Sequence, residues 1–244
     1  MYYERTKTFY IEIEDNIDWW EAPFVFSPYI KNKENFVVPE RSLQWVRSRI
    51  VPIDRQNLGD ILKNNGLEYY DEFSLLEKCK GRCEQDDFHI SKRSKLPEHI
   101  KKRFVYRVKD VIPTSDNKIL VFFNNETTKI YDPADYGLDM FLKSDNRLKN
   151  VEVAVGGYGI CWGSLFFISA TVLNNAGKEI PISYDDFIFF IERRTYSTAD
   201  VCEYLKCSRQ NVADLSERNK LQQVKKSSNN NLFLKQEVDS RLWN

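Results

Sequence analysis

Apolar positions recur along this chain with two different periods, and the changes of period divide it into three stretches. In the first, to about residue 103, Phe9, Ile11 and Ile13 alternate with their neighbours as in a strand with one buried face. Trp19, Trp20, Phe24, Phe26 and Tyr29 follow as an aromatic-rich run broken by Pro23 and Pro28. Helical spacing then takes over. Leu58, Ile61 and Leu62 form one stripe of a helix predicted over 53–64, with Asp54 as N-cap and Gly66 as stop. Phe73, Leu75 and Leu76 do the same for a helix over 70–80 that stops at Gly81. A further helical turn is expected over 85–90, and 91–97 reads as a linker.

Between about 104 and 193 the pattern is mostly that of strands. Residues 119–123 are a short buried run, Asn124-Asn125 suits the positive φ of a hairpin turn, and 128–131 pairs back. Residues 151–155 alternate, and Gly156-Gly157 can turn them onto 159–162. Residues 165–168 form another apolar run, and a short helix is expected over 136–148. Ser183 caps a helix to Ile191 that turns Phe187, Ile188 and Ile191 inward.

The last stretch, 194–244, returns to helical spacing. Thr198 can cap a helix with Val201, Tyr204 and Leu205 on its inner face. Ser208 caps a second, with Val212 and Leu215 inward and Arg209, Gln210, Asn211 and Asp214 outward. Residues 221–224 and 232–235 read as a hairpin with Lys225 and Lys226 near its tip. Residues 237–243 close the unit, with Val238, Leu242 and Trp243 as core.

Two resemblances follow from these residues. The run Leu205-Lys-Cys-Ser-Arg-Gln-Asn-Val212, followed by Lys220-Leu221, resembles the winged helix-turn-helix of excisionase and MerR-type DNA-binding proteins. Lys206 stands where that family often has Gly, and the hairpin tip is rich in Asn where the family carries Arg. The resemblance implies a helix whose first turn enters a major groove. In that arrangement Arg209, Gln210 and Asn211 would read bases, while Ser208, Arg218, Lys225 and Lys226 would position phosphates.

In the middle, Ile119-Leu-Val-Phe-Phe, Tyr131-Asp132, Phe141-Leu142, Val151-Glu-Val, Gly159-Ile-Cys-Trp162 and Ile168-Ser169 resemble the small bacterial α+β domain of unknown function 2442. Asn124-Asn125 replaces its usual turn Gly, and Leu148 stands where Phe is common. That resemblance implies an antitoxin-like context and no catalytic residues. The expected architecture is α+β: an aromatic-rich segment over 1–103, a small α+β domain over 104–193 and a winged helix-turn-helix over 194–244.

Composition narrows the field only slightly. The chain has 36 Lys+Arg against 36 Asp+Glu, so its overall charge gives no support for nucleic-acid binding. Residues 195–244 carry 8 basic against 6 acidic side chains, a net of +2, and residues 104–192 carry 8 against 12, a net of −4. Five cysteines, an odd number, and a polar start suggest a reducing cytoplasm, and no apolar run is long enough to span a membrane.

Enzyme chemistry has little to stand on. Cys79 and Cys83 with His89 and His99 have ligand types suited to zinc, but the histidines are too far apart for a usual site, so buried free thiols are preferred. Glu84, Asp86 and Asp87 read as a solvated acidic face, and Gly156-Gly-Tyr-Gly159 as a hairpin turn. Trp45, Arg47 and Arg49 could contact a partner or nucleic acid, with a strand end carrying solvated charges as the preferred reading. The expectation is a cytoplasmic, cofactor-free DNA-binding regulator or antitoxin-like repressor, not an enzyme. Its partners would be double-stranded DNA and either a toxin-like protein or a second copy of itself. The alternative is a toxin-neutralising adaptor that never touches DNA.

Overall fold

The computed structural model describes residues 1–136, 150–163, 165–227 and 231–241. Those residues form short helices and several small antiparallel sheets, an α+β architecture. At the start, β1 (Tyr2–Tyr3) pairs with β2 (Thr8–Phe9), and β3 (Ile11–Glu12) pairs with β4 (Phe36–Val37). The alternation over 9–13 breaks at Tyr10, which is buried along with Phe9 and Ile13, because both sides of this stretch are covered.

Five helices punctuate the first hundred residues: α1 (Ser27–Lys31), α2 (Pro39–Arg47), α3 (Leu58–Asn64), α4 (Glu72–Cys79) and α5 (Glu98–Phe104). The helix expected from residue 53 begins only at Leu58, and Asp54 does not cap it. Instead, Arg55 and Leu58 donate to the carbonyls of Pro52 and Arg55 in consecutive turns, and Ile53 has nothing to bury it. Asp71 caps α4 by accepting from the Ser74 N–H, so that helix starts two residues later than the apolar spacing suggests.

The helical turn expected over 85–90 is absent, and its replacement corrects the reading of Arg49 as well. Arg49 is not a solvated charge. Its guanidinium is buried over the Trp45 ring at 4.2 Å and donates to the carbonyls of Gly81 (2.6 Å) and Phe88 (3.2 Å) and to the Asp86 carboxylate. That fork draws 81–88 into a loop with a single Cys83–Asp86 bridge. Hydrogen bonding from Arg49 also holds the Asp86 carboxyl below the usual carboxylate range, so Asp86 belongs to an ion pair. Arg47 pairs with Glu72 at 3.0 Å on the surface. The Cys79 thiol donates to the Arg49 carbonyl, and no group of three or more metal-ligating side chains gathers among the described residues.

The middle of the chain is built on two sheets. One has the order β11-β7-β6-β5, from β5 (Val108–Pro113), β6 (Ile119–Phe123), β7 (Thr128–Tyr131) and β11 (Lys178–Ile180). The other has the order β10-β9-β8, from β8 (Glu152–Val153), β9 (Gly159–Trp162) and β10 (Phe166–Ser169). Val121, Phe123, Ile160, Trp162 and Leu173 form their common core. Burying each such side chain is worth roughly 1.5–3 kcal/mol. The run 119–123 lacks alternation because both faces are covered: Phe122 meets the rings of Tyr184 and Phe187 on the far side.

The 123–128 turn places its positive φ at Glu126 and not at the asparagines. Asn125 instead accepts from the N–H and hydroxyl of Thr127, while Asn124 reaches the Phe104 carbonyl. Gly156 and Gly157 do adopt positive φ in the turn between β8 and β9, and a Cβ on Gly157 would lie 2.6 Å from the Val108 carbonyl oxygen. The helix expected over 136–148 falls, apart from Tyr136, outside the described residues, as do Phe141, Leu142 and Leu148. After α6 (Ala170–Asn175) and β11 comes α7 (Tyr184–Arg194), opened by a reciprocal Ser183–Asp186 capping box. Phe187, Ile188 and Ile191 are partly covered on its inner side.

The first hundred residues join the middle through a buried ionic cluster. Glu12 accepts from Arg107 (2.8 Å), Arg103 (3.1 Å) and the Tyr158 hydroxyl. Arg107 also donates to Tyr3 and to the Gly156 carbonyl, and its guanidinium lies between the rings of Phe104 and Tyr158. Tyr10, Phe36 and Tyr158 form the adjoining apolar cluster. Among the described residues, no helix is long and apolar enough to cross a membrane.

Candidate nucleic-acid interface

Beyond α7 the chain forms β12 (Thr195–Ser197), α8 (Thr198–Leu205), α9 (Arg209–Glu217), β13 (Gln223–Lys225), β14 (Leu232–Leu234) and α10 (Lys235–Ser240). Ser197, one residue before the expected Thr198, caps α8 in a reciprocal box with Asp200. Thr198 begins the helix, and its hydroxyl accepts from the Asn231 N–H. Lys206 ends α8 in the left-handed region at φ 52, and the Cys207 N–H returns to the Cys202 carbonyl. This turn is the position where a glycine would carry no steric cost. Ser208 then caps α9 by accepting from the Asn211 N–H at 3.2 Å.

One apolar cluster fixes these elements together. Val201, Val212, Leu221, Phe233 and Val238 are buried, one or more from each of α8, α9, the hairpin and α10. Tyr204, expected inward, is 42% exposed and lies against Tyr196 at 5.4 Å. The reason is β12, which the apolar spacing did not reveal: it pairs with β14, so the hairpin becomes a three-stranded sheet in the order β12-β14-β13, and Tyr196 lies beside α8. The strands are shorter than the expected ones, with an irregularity between Gln223 and Lys225. Leu242 and Trp243 lie outside the described residues.

All seven candidate side chains, Ser208, Arg209, Gln210, Asn211, Arg218, Lys225 and Lys226, are exposed. They do not form one cluster. Arg209 lines an open hollow of about 290 Å³ with Thr198, Gln223, Ser227 and Asn231, so it faces the hairpin. Gln210 donates to Asp214 at 3.1 Å, which lays its amide along the helix. Asn211 is exposed beside it. Arg218 follows the last turn of α9, about 15 Å along the axis from Ser208. Lys225 ends β13 and Lys226 follows it. Lys206 adds an exposed cation at the interhelical turn that spacing alone did not single out.

Residues 108–178 match the family model described as protein of unknown function, DUF2442. The match starts with β5 and ends at the first residue of β11, so it takes in the β10-β9-β8 sheet, β5 to β7 of the other sheet and less than half of the chain. No curated protein and no solved structure matches the chain.

Proposed function

We propose that this chain, with its DUF2442 match in the middle, is a DNA-binding transcriptional regulator or antitoxin-like repressor whose C-terminal unit acts as a winged helix-turn-helix. One observation carries the reading: the first turn of α9 is solvent-exposed, polar and held rigidly by a capped turn and a buried apolar core. A recognition helix needs those properties, since base edges are read by a few side chains on a fixed support. Arg209 and Asn211 would read bases, and Lys206, Lys225 and Lys226 would meet phosphates. Arg218, at the far end of α9, would reach only backbone. The experiment is selection of duplexes from a randomised pool by the full chain, followed by anisotropy titration across a salt series. A DNA reader enriches a sequence and loses affinity steeply with salt; failure to enrich any sequence, or to bind at low salt, ends the reading.

A second reading, a protein-binding adaptor, is favoured by a different surface. Phe24 is 82% and Trp20 64% exposed, and Trp20 meets the Trp19 ring edge-on at 5.7 Å. Large aromatics left in solvent are characteristic of partner-binding patches. A regulator that answers to a protein partner would use both surfaces. An adaptor alone would capture its partner normally while selecting no DNA.

A further inference from the structure

The outer face of α7 is self-complementary. Its first turn carries Asp185 and Asp186, its last Arg193 and Arg194, and between them Phe189 and Phe190 are 56% and 55% exposed. One shallow hollow is lined by Asp186, Phe189, Phe190, Arg193 and Arg194 of α7 together with Lys235 at the start of α10, which places these five α7 side chains on one side of the helix, next to α10. Phe187, Ile188 and Ile191 occupy the inner side. Arg193 already lies over the Phe189 ring at 4.5 Å.

The spacing is symmetric about one point. The midpoint of the pattern falls between Phe189 and Phe190, and Asp186 and Arg193 each lie three and a half residues from it, about 5 Å along the axis. Two such helices laid antiparallel about a twofold axis at that point would bring each Phe189 level with the other copy's Phe190. Each Asp186 would come level with the other copy's Arg193, giving one opposite-charge pair at each end of an aromatic centre. A parallel arrangement in register would put acid beside acid and base beside base. A twofold interface must present one patch to itself, and an acidic end, apolar middle and basic end on one stripe meet that requirement.

We propose that α7 is a homodimerisation helix, pairing antiparallel with α7 of a second copy through Phe189 and Phe190 and two Asp186–Arg193 pairs. This deepens the regulator reading, since two copies would present two recognition helices to paired half-sites, but the pairing itself does not need DNA. An 11-residue helix is about 16 Å long and covers less than the ~800 Å² per partner of a standard interface. So small a contact predicts weak pairing, tightened when two half-sites hold both copies.

The test is sedimentation equilibrium of the full chain without DNA, from about 1 to 100 μM. The wild type is expected to pass from monomer to dimer, and Arg193→Glu, an exposed substitution that threatens no core contact, to weaken association at least about tenfold. Asp186→Lys should do the same, although it also removes half of the capping box, so its helix content is checked by circular dichroism. An equimolar mixture of the two variants should dimerise again, because each mixed pair restores opposite charges. A monomeric wild type, or an Arg193→Glu protein that associates like the wild type, overturns the proposal. Two folded variants that stay apart when mixed overturn the antiparallel register. DNA selection is read separately, so a chain that dimerises without selecting DNA, or the reverse, shows which proposal failed.

Discussion

Glu12 and Arg107, ninety-five residues apart, form an ion pair of 2.8 Å in which both side chains are less than a tenth exposed. One comes from β3 and the other lies just before β5, so the pair fastens the N-terminal segment to the edge of the family-matched sheet. Removing one partner leaves an uncompensated buried charge, which costs more than the intact pair contributes. Glu12→Gln should therefore lower unfolding free energy by about 3–5 kcal/mol. Urea titration measures it, and a loss below about 1 kcal/mol would mean that water reaches the site.

Tyr158 donates to the same carboxylate, and its ionisation is pushed far above the ordinary tyrosine range, first by burial and then by the Glu12 charge. Burial likewise raises Tyr10, stacked on it at 3.8 Å. A raised folded-state pKa means that the native protein holds the proton more tightly than the unfolded chain. The stabilisation is complete below the unfolded value of about 10 and falls as pH rises above it. Denaturant midpoints should hold from pH 7 to 9 and drop between 10 and 12. Tyr158→Phe should be less stable at neutral pH, by about 1–3 kcal/mol for the lost charge-assisted bond, and show a shallower alkaline fall.

Arg49 holds the 81–88 loop through two carbonyls and Asp86 while stacked on Trp45. Lysine cannot reproduce this fork, since it offers one compact charge in place of a planar set of donors. Arg49→Lys should release the loop. The checks are faster tryptic cleavage at Arg82, Lys92 or Arg93 and a Tm lowered by several degrees. Unchanged cleavage would show that backbone bonds, such as Ile90 N–H to the Lys80 carbonyl and the Cys83–Asp86 bridge, suffice to hold the loop.

What the sequence revealed and what it concealed divide along physical lines. Residues 119–123, 128–131 and 159–162 were legible as strands because neighbours cover their apolar side chains and turn residues bound them. The cap at Ser208 was legible because its hydroxyl acts within three residues. β5 was not, since Lys109 and Asp110 interrupt its apolar pattern, its register shifts beside them, and it occupies a sheet edge. The 81–88 loop was not, because its shape is imposed by Arg49 from more than thirty residues away. In the candidate interface, the helices and their exposed first turn could be read from spacing, whereas β12 and the turn of Tyr204 toward Tyr196 depend on pairing with β14.

Lys206 and Ser208 make a local pair of opposite predictions. Lys206 bears a left-handed backbone, so Lys206→Gly should remove a strain of about 1 kcal/mol, partly offset by unfolded-chain entropy, for a net gain of about 0.5 kcal/mol. Ser208→Ala removes the acceptor of the Asn211 N–H and should cost about 1 kcal/mol. Thermal unfolding of both variants decides it. A Ser208→Ala protein as stable as the wild type would mean that water satisfies the start of α9.

The same turn sets up the sharpest test of the recognition reading. Once a preferred duplex is in hand, Arg209→Ala should lose roughly 1–3 kcal/mol of affinity for it while binding unrelated duplexes nearly as before, the pattern of a base contact. Lys225→Ala with Lys226→Ala should weaken all duplexes alike and reduce the slope of log affinity against log salt by about 1–2, the pattern of phosphate contacts. Arg209 is exposed but lines the open hollow beside the hairpin, so a base contact requires its side chain to turn away from the hollow it shares with Asn231. If Arg209→Ala instead lowers affinity for every duplex equally, the residue serves as a backbone anchor. Specificity then rests on Asn211, the exposed neighbour whose replacement by Ala should relax it.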